Sequence, residues 1–371
     1  MSEKNEKIVK DEYSGSLWQY LEKNQVSISG SLLVLGYILH SSIPSLTPYT
    51  SKFIQLQYKI GEDENGNNLY DIGIDDCYIV FLWVILLTFL RSFLMNYFWG
   101  PFASYFYNMK SNQVTRFAEQ SWSCYFAAFS FAFSWYIYCH SPYYNNLNNL
   151  FIDWPHDELL PRYKIYYLLQ IGFWFQQIFV LNVEKKRKDY IQMFCHHIVT
   201  CLLLIGSYYY YYIRIGNLIL ILMDPVDIFL SGAKLLKYCG YTRLCDIMFI
   251  LFLFSWIILR HICYNYIFYH AWSNAQNLMS DSVRCDMGVD LKRCWSPKIL
   301  DGFYCLLGGL QIITLIWLYF IFKVAYKVIT GASADDVRSD SEDDDEVEDE
   351  IDDENEKDDV EDEVEVEEVK N

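Results

Sequence analysis

Two pairs of ionisable residues stand out because each lies in a long apolar stretch of the chain. They are the adjacent histidines His196 and His197 and the aspartates Asp224 and Asp227. Ionisable side chains at membrane depth cost at least about 2.5–3.5 kcal/mol each on insertion scales and are candidates for functional roles. A neutral imidazole aligned by a carboxylate is a general base or a nucleophile, so the two pairs predict such chemistry on a lipid.

Helix geometry limits how these groups can face one site. Neighbouring residues of a helix point about 100° apart, so we expect one histidine to act and the other to pack or orient it. Asp224 and Asp227 share one helix face, and Lys234 follows on the same stripe. Pro225 lies between the aspartates, lacks a backbone N–H, and leaves one helical carbonyl without its usual donor. These residues predict a pocket lined by imidazole, carboxylate and carbonyl groups.

Structural explanations of the same residues stay open at this stage. The histidines could bond neighbouring carbonyl groups only, and the aspartates with Lys234 could form a buried ion pair that holds their helix in place. Two histidines and two aspartates could in principle bind zinc. The 7 histidines of the chain, however, include one adjacent pair and no H-x-x-x-H or H-x-x-H-H box. We therefore expect no metal and no cofactor.

Further charged residues lie in two other apolar stretches. Arg91 lies in one of them, and Arg260 and His261 lie in another. Arg260 is one helical turn from Trp256, so we expect both to line the pocket together with Lys234. An ion pair between Arg260 and one of the two aspartates is the alternative. Three consecutive helices with charges favour one shared pocket, because helices joined by short loops are usually neighbours.

Eight apolar stretches are long enough, at about 20 residues each, to cross a hydrocarbon layer about 30 Å thick. They cover residues 28–46, 77–97, 122–139, 163–182, 190–213, 215–236, 246–269 and 302–326. The first contains several serines and ends at Pro44, so an interfacial helix is an alternative for it. The sequence thus predicts an all-α integral membrane protein with about eight transmembrane helices.

The net charge of the chain is concentrated in its C-terminal tail. The formal net charge is −18, and residues 335–371 hold 23 Asp and Glu against 3 Lys and Arg, which is −20. This segment is too charged to bury an apolar core, so we expect it to be disordered. The rest of the chain is nearly neutral and has no basic stripe, which argues against nucleic acid binding. Its apolar character also argues against a soluble enzyme.

The loops between the stretches predict an orientation in the membrane. The loop before the histidines carries four consecutive basic residues, Lys185, Lys186, Arg187 and Lys188. The loops 47–76 and 140–162, on the opposite side, are acidic. By the positive-inside rule, the basic loop and both termini are cytosolic. The loop 270–301 is then lumenal, where we expect Cys285 and Cys294 to form a disulfide or to remain two reduced thiols.

The region around the histidines and aspartates has a recognisable pattern. Residues 189–238 read DYIQMFCHHIVTCLLLIGSYYYYYIRIGNLILILMDPVDIFLSGAKLLKY and contain His-His, Ser-Tyr, Arg-x-Gly, Asp-x-x-Asp and Ala-Lys. This segment resembles the Lag motif of ceramide synthases, the sphingosine N-acyltransferases of the TLC domain superfamily. TRFAEQSWSCYFAAFSFAF, 115–133, resembles the start of the TLC domain, and residues 76–101 resemble the fungal members. Met223 stands where many members have histidine before the first aspartate.

The resemblance implies N-acylation of a sphingoid long-chain base by a fatty acyl-CoA in the endoplasmic reticulum membrane. Six TLC helices, within residues 114–330, would surround a narrow lipid tunnel. His196 would meet the thioester carbonyl, while His197, Asp224 and Asp227 would orient it and take the proton of the amine. The two histidines could exchange these roles. The basic residues 185–188 would bind the phosphates of CoA or serve as a topology signal alone.

The resemblance also implies features outside the TLC domain. Residues 1–27 would be a cytosolic segment, 28–113 two further transmembrane helices with their loops, and 331–371 the acidic cytosolic tail. RSDSEDDDE, 338–346, resembles the phosphorylated C-terminus of the family, so Ser339 and Ser341 are expected phosphorylation sites. A small single-span accessory subunit and a second ceramide synthase chain are the expected partners. A non-catalytic lipid transporter or sensor with the same His/Asp cluster is the alternative function.

Overall fold

The computed structural model of the protein describes residues 20–184, 189–280, 282 and 293–329. Several residues singled out in the sequence lie outside these ranges, namely Lys185, Lys186, Arg187, Lys188, Cys285, Ser339 and Ser341. What the sequence predicts for them stays a prediction. The chain divides into two compact units, residues 1–313 and 314–371, and every residue of the candidate site lies in the first.

Almost all of the described chain is helical. The helices are α1 (Gln25–Ser42), α2 (Thr47–Ile54), α3 (Asp76–Leu94), α4 (Gly100–Tyr107), α5 (Ser111–Cys139), α6 (Pro161–Val183), α7 (Tyr190–Tyr209), α8 (Ile213–Tyr238), α9 (Thr242–Ile257), α10 (Tyr264–Leu278) and α11 (Pro297–Ile329). Two π-helical turns, π1 (Met95–Trp99) and π2 (Ile258–Cys263), join α3 to α4 and α9 to α10. A short 3-10 helix covers Leu147–Leu150, and the strands β1 (Lys59–Glu62) and β2 (Asn68–Tyr70) form an antiparallel hairpin.

Seven of the eight predicted stretches lie mainly in one helix each, and the stretch 246–269 covers α9, π2 and the start of α10. Four described segments are long and apolar enough to cross a membrane, namely Asp76–Tyr107, Tyr190–Tyr209, Thr242–Leu278 and Pro297–Tyr326. The predicted class, an all-α multi-pass membrane protein, is therefore confirmed. The number of eight spans and the lipid tunnel stay predictions.

The helix α8 is the element around which the site is built. It packs along α5 on one side and along α9 on another, while α6 packs against both α3 and α7. At Gly216, α8 comes so close to α6 that a Cβ atom would overlap the hydroxyl of Tyr167. Tyr167 also forms a hydrogen bond with Ser207 of α7, at 2.6 Å. Three helices are thus fixed against one another near the α7–α8 turn.

A buried ion pair connects α3 with α6 and α7. The Nζ atom of Lys164, whose side chain is 0 % exposed, lies 2.8 Å from Oδ1 of Asp76, which is 3 % exposed. Lys164 also donates to the carbonyl oxygens of Gln57 and Asp71, at 2.8 and 2.6 Å. The hydroxyl of Tyr208 donates to Oδ2 of Asp76 at 2.8 Å. We call these five residues the Lys164 cluster.

The side chain of Asp71 joins the same region to the segment that precedes α11. Its two carboxylate oxygens accept hydrogen bonds from Tyr211 at 2.5 Å and from Arg293 at 2.7 Å. Burial favours a higher pKa for Asp71, but these bonds and the N–H of Ile72 outweigh burial and lower it. The neighbouring Cys294 is disulfide-bonded. Its predicted pairing with Cys285 stays a prediction.

Arg91, the charged residue of the second predicted stretch, is paired. Its Nη2 atom lies 2.5 Å from Oε1 of Glu184, directly after α6. The next residue, Ser92, donates to the side chain of Gln25 at 2.7 Å, which fastens α1 to α3. Arg91 therefore serves to hold helices together at this end of α3 and α6.

Candidate functional site

The histidine pair lies in the second turn of α7, against a tryptophan of α6. His197 is buried at 5 % exposure, whereas His196 is half-buried. The ring of Trp174 contacts both imidazoles edge-to-face, with centroids 5.4 Å from His196 and 5.3 Å from His197. As helix geometry predicts, the two rings have different surroundings. Of the two residues, His196 is the less buried.

Asp224 of α8 accepts a hydrogen bond from α5. The hydroxyl of Ser130 donates to Oδ2 of Asp224 at 2.6 Å. Ser130 in turn accepts from Nε2 of Gln170 on α6, also at 2.6 Å, and its oxygen lies 3.4 Å from the hydroxyl of Tyr166. Ser130, Gln170 and Tyr166 are buried, while Asp224 is half-buried. The carboxylate is thus held by uncharged partners.

One face of α6 brings the histidines and this hydrogen-bond chain together. Gln170, which bonds Ser130, and Trp174, which contacts both imidazoles, are four residues apart and so lie next to each other on the helix. α6 thereby places the Asp224 hydrogen-bond chain about one helical turn, roughly 5 Å along the axis, from the tryptophan that packs on the histidines.

Asp227, one turn further along α8, has a different partner. Nη2 of Arg260 donates to Oδ1 of Asp227 at 2.7 Å and to the carbonyl oxygen of Met223 at 3.2 Å. The guanidinium also lies over the ring of Trp256, 4.3 Å from its centroid. Arg260 is 7 % exposed, but the side chain of Asp227 is 48 % exposed. In this ion pair the carboxylate of Asp227 is therefore accessible, whereas the guanidinium of Arg260 is buried.

Arg260 is carried by π2, a helical turn of the kind that is frequent at functional sites. The same turn carries His261, whose Nε2 accepts from the indole N–H of Trp256 at 3.2 Å. Nδ1 of His261 lies 2.8 Å from the side-chain nitrogen of Gln311 on α11. The indole ring that stacks on the guanidinium is thus held in place by the hydrogen bond to His261. The positive charge of Arg260 also acts on His196 and on Asp224. These two residues, Arg260 and its partner Asp227 are therefore close enough to interact electrostatically.

The structure brings most of the predicted site residues together. Six belong to the site described above, namely His196, His197, Asp224, Asp227, Arg260 and Trp256. Lys234 is half-buried on α8 and lies two turns beyond Asp227, about 10 Å along the helix. Within the described ranges, no three His, Cys, Asp or Glu side chains meet as a metal site.

Three residues of the site were not singled out in the sequence: Ser130, Gln170 and Trp174. Each is uncharged and lies in an aromatic-rich apolar stretch, where charge gives no signal. The spacing of Gln170 and Trp174, four residues apart in one stretch, is the signal that could have identified them, because it puts a polar and an indole group on one helix face.

The arrangement has the parts needed for transfer of an acyl group. A half-buried imidazole offers a nitrogen as nucleophile or base. Two carboxylates on one face of α8 can hold a cation or take up a proton, and a fixed guanidinium balances one of them. The site lies among apolar helices, which suits a substrate with a long hydrocarbon chain.

Comparison with known proteins identifies the family of the chain. Residues 116–323 match the sequence model of the TLC domain. The chain is 38% identical to a sphingosine N-acyltransferase of Schizosaccharomyces pombe, over 81% of this chain and 75% of that protein. It is 33% identical to a ceramide synthase of Gibberella moniliformis, over 85% and 78%, and 33% identical to one of Saccharomyces cerevisiae, over 78% and 69%. The chain therefore belongs to the TLC domain family and, within it, to the sphingosine N-acyltransferases, the ceramide synthases.

Proposed function

We propose that the chain is a ceramide synthase that transfers the acyl group of a long or very long chain fatty acyl-CoA to the amino group of a sphingoid base. The products are a ceramide or dihydroceramide and CoA. The observation that carries this proposal is the shared site of two histidines and two carboxylates, built within the TLC helices. Acyl-CoA is a substrate, so the proposal includes no cofactor.

His196 is the proposed nucleophile. It is the less buried of the two histidines, whereas His197 is buried against Trp174. One imidazole nitrogen attacks the thioester carbonyl carbon, the C–S bond breaks, and the thiolate takes the proton of the other imidazole nitrogen, so that CoA leaves as the thiol. The neutral amine then attacks the acyl-imidazole, the C–N bond to the imidazole breaks, and an amine proton passes to the imidazole, which releases the amide. His197 orients its neighbour in this scheme.

The carboxylates of Asp224 and Asp227 act on the amino group of the sphingoid base. A sphingoid base arrives as an ammonium and must lose a proton before its nitrogen can attack. The exposed oxygens of Asp227 offer a counter-charge to this cation, because Arg260 occupies one side of that carboxylate only. The half-buried Asp224 lies one turn away on the same face.

The cellular setting follows from the same proposal. We place the protein in the endoplasmic reticulum membrane with both termini cytosolic, and the basic residues 185–188 near the phosphates of CoA. A small single-span accessory subunit and a second ceramide synthase chain are the proposed protein partners. The tail serines 339 and 341 are the proposed phosphorylation sites.

The experiment is amide formation by the purified protein in detergent, measured by mass spectrometry with a sphingoid base and acyl-CoAs of different chain length. His196→Ala and Asp227→Asn should abolish or greatly reduce the product. The matched controls are His140→Ala and Asp301→Asn, because both residues are exposed and outside the site. All variants should elute as folded protein.

The outcomes separate the competing functions. Amide from wild type and the controls, but not from the site variants, supports the proposal and gives the preferred chain length. Activity that needs the accessory subunit would make the chain one part of a complex. A wild type that forms no amide with or without that subunit would favour a lipid transporter or sensor.

A further inference from the structure

The two aspartates of α8 have opposite kinds of partner, although they are three residues apart. Asp227 is paired with Arg260, and a guanidinium stays protonated in proteins. Asp224 is bonded to Ser130, a neutral hydroxyl that is itself bonded to the neutral amide of Gln170. Different surroundings for two nearby carboxyl groups commonly assign them different protonation roles.

The hydrogen-bond chain at Asp224 can run in either direction. For the carboxylate, the amide of Gln170 donates to Ser130 and Ser130 donates to Asp224, at 2.6 Å each. For the carboxylic acid, Asp224 donates to Ser130, and Ser130 donates to the amide oxygen of Gln170 after the amide turns over. Both directions keep a hydrogen bond between Asp224 and Ser130 and another between Ser130 and Gln170, so a change of protonation state breaks neither of them.

Asp227 has no comparable freedom. Protonation of its carboxyl group would leave the cation of Arg260, at 7 % exposure, without its counter-charge. Leaving a buried charge unpaired is strongly unfavourable. The guanidinium of Arg260 is a donor only, so this contact needs Asp227 as an acceptor and cannot reverse its direction as the chain at Asp224 can.

We infer that Asp224 is the group that takes the proton from the amine of the base, while Asp227 stays ionised and holds that amine. This rests on the proposed acyl transfer. An N–H bond of the ammonium breaks, an O–H bond forms on Asp224, and the nitrogen lone pair is released for attack on the acyl carbon. Asp224 then returns the proton to solvent. Ser130 and Gln170 are positioning residues that let this proton come and go.

Other titratable groups face Asp224 and must be separated from it in a test. Asp227 lies on the same helix, the charge of Arg260 reaches it from π2, and Tyr166 of α6 approaches through Ser130. Infrared spectroscopy is suitable because a protonated carboxyl group has its own carbonyl stretch. The difference between wild type and a single variant isolates one such group.

The experiment is an infrared pH titration of the purified full-length protein in detergent. The wild type should lose a buried carboxylic acid band as the pH rises. Asp224→Asn should lack this band, and Asp227→Asn should keep it. Ser130→Ala removes a partner of both forms of Asp224, but the hydrogen bond to the charged carboxylate is the stronger one, so the midpoint of the band should move to higher pH, by about one unit. Ser123→Ala, two turns along α5 with its hydroxyl on the backbone carbonyl of Glu119 at 3.0 Å, is the control and should leave the midpoint unchanged.

Kinetics with the same variants tests the division of roles. Asp224→Asn should lower kcat by about 100-fold or more, as loss of a proton acceptor does. Asp227→Asn should act mainly by raising KM for the base. A band that persists in Asp224→Asn or disappears in Asp227→Asn would overturn the inference. The spectra need no turnover, so a wild type without amide synthesis would refute the proposed function while the spectra still decide which carboxyl group holds a proton.

Discussion

Removal of the acidic partner in the Lys164 cluster should destabilise the protein strongly. Asp76→Asn keeps the shape and an oxygen that can accept from Tyr208, but it leaves the fully buried ammonium of Lys164 without a counter-charge in contact, since the carboxylate of Asp71 is bonded to Tyr211 and Arg293 instead. Breaking a buried ion pair in this way costs about 3–5 kcal/mol. The carbonyl oxygens of Gln57 and Asp71 still accept from Lys164, so we expect the lower end of that range.

The assay is thermal unfolding in detergent at one fixed heating rate, followed by the fraction that still elutes as folded protein. A loss of about 3 kcal/mol corresponds to a fall of roughly 5–10 °C in apparent Tm. Glu62→Gln is the control, since its ion pair with Lys59 is half exposed, at 56% and 48%. It should cost less than about 1 kcal/mol.

A second substitution tests the cause directly. Adding Lys164→Met to Asp76→Asn removes the unpaired ammonium, so the double variant should be more stable than Asp76→Asn alone. The reasoning is refuted if Asp76→Asn melts within about 1 °C of Glu62→Gln, or if adding Lys164→Met lowers the Tm further. Either result would mean that an unpaired ammonium at Lys164 is not the cause of the loss of stability.

Three further predictions concern other parts of the chain. Gly216→Ala should cost about 1–3 kcal/mol in thermal unfolding because the new methyl group overlaps Tyr167, whereas Gly302→Ala, in open space, should not destabilise. The lowered pKa of Asp71 stabilises the folded protein fully at a pH above the unfolded-state pKa of about 4, and this stabilisation is lost as the pH falls through the folded-state pKa. The Tm of wild type should therefore fall more steeply in acid than the Tm of Asp71→Asn. Equal slopes of Tm against pH would contradict this. Trp174→Phe should lower kcat by up to about 100-fold with little change in Tm, since the contact that aligns both imidazoles is altered, and an unchanged kcat would exclude that role.

The charged part of the site could be predicted from sequence, because a charge inside an apolar stretch is conspicuous. His196, His197 and the two aspartates were identified in that way. The partner of Arg260 could not be, since Asp224 and Asp227 lie on one helix face and spacing treats them alike. The structure selects Asp227, which lies one helical turn along α8. That choice depends on where α9 crosses α8, which no local pattern encodes.

Neutral groups and helix ends were the parts that sequence patterns missed. The second predicted stretch ends at 97, but the helix continues through π1 and α4 to Tyr107. Pro101 does not end it, because the proline follows π1, where the N–H of Gly100 bonds the carbonyl oxygen of Met95 five residues back, and it occupies the first turn of α4. The sequence predicts an acidic loop over 47–76, where the structure has the hairpin of β1 and β2. Strands of only 4 and 3 residues are too short to give a clear alternating pattern.

The π2 turn makes the site sensitive to the length of the chain as well as to its composition. A π turn contains one residue more than an α turn, so Trp256 before it and Tyr264 after it, eight residues apart, can both face inward. Deleting one apolar residue between 258 and 263 would leave the hydropathy of the helix almost unchanged. It would nevertheless rotate the helix on one side of the deletion by about 100° relative to the other side. Either the guanidinium of Arg260 would then point away from Asp227, or Tyr264 would leave its apolar cluster. Among related chains, substitutions are therefore expected in this segment, whereas insertions and deletions are not.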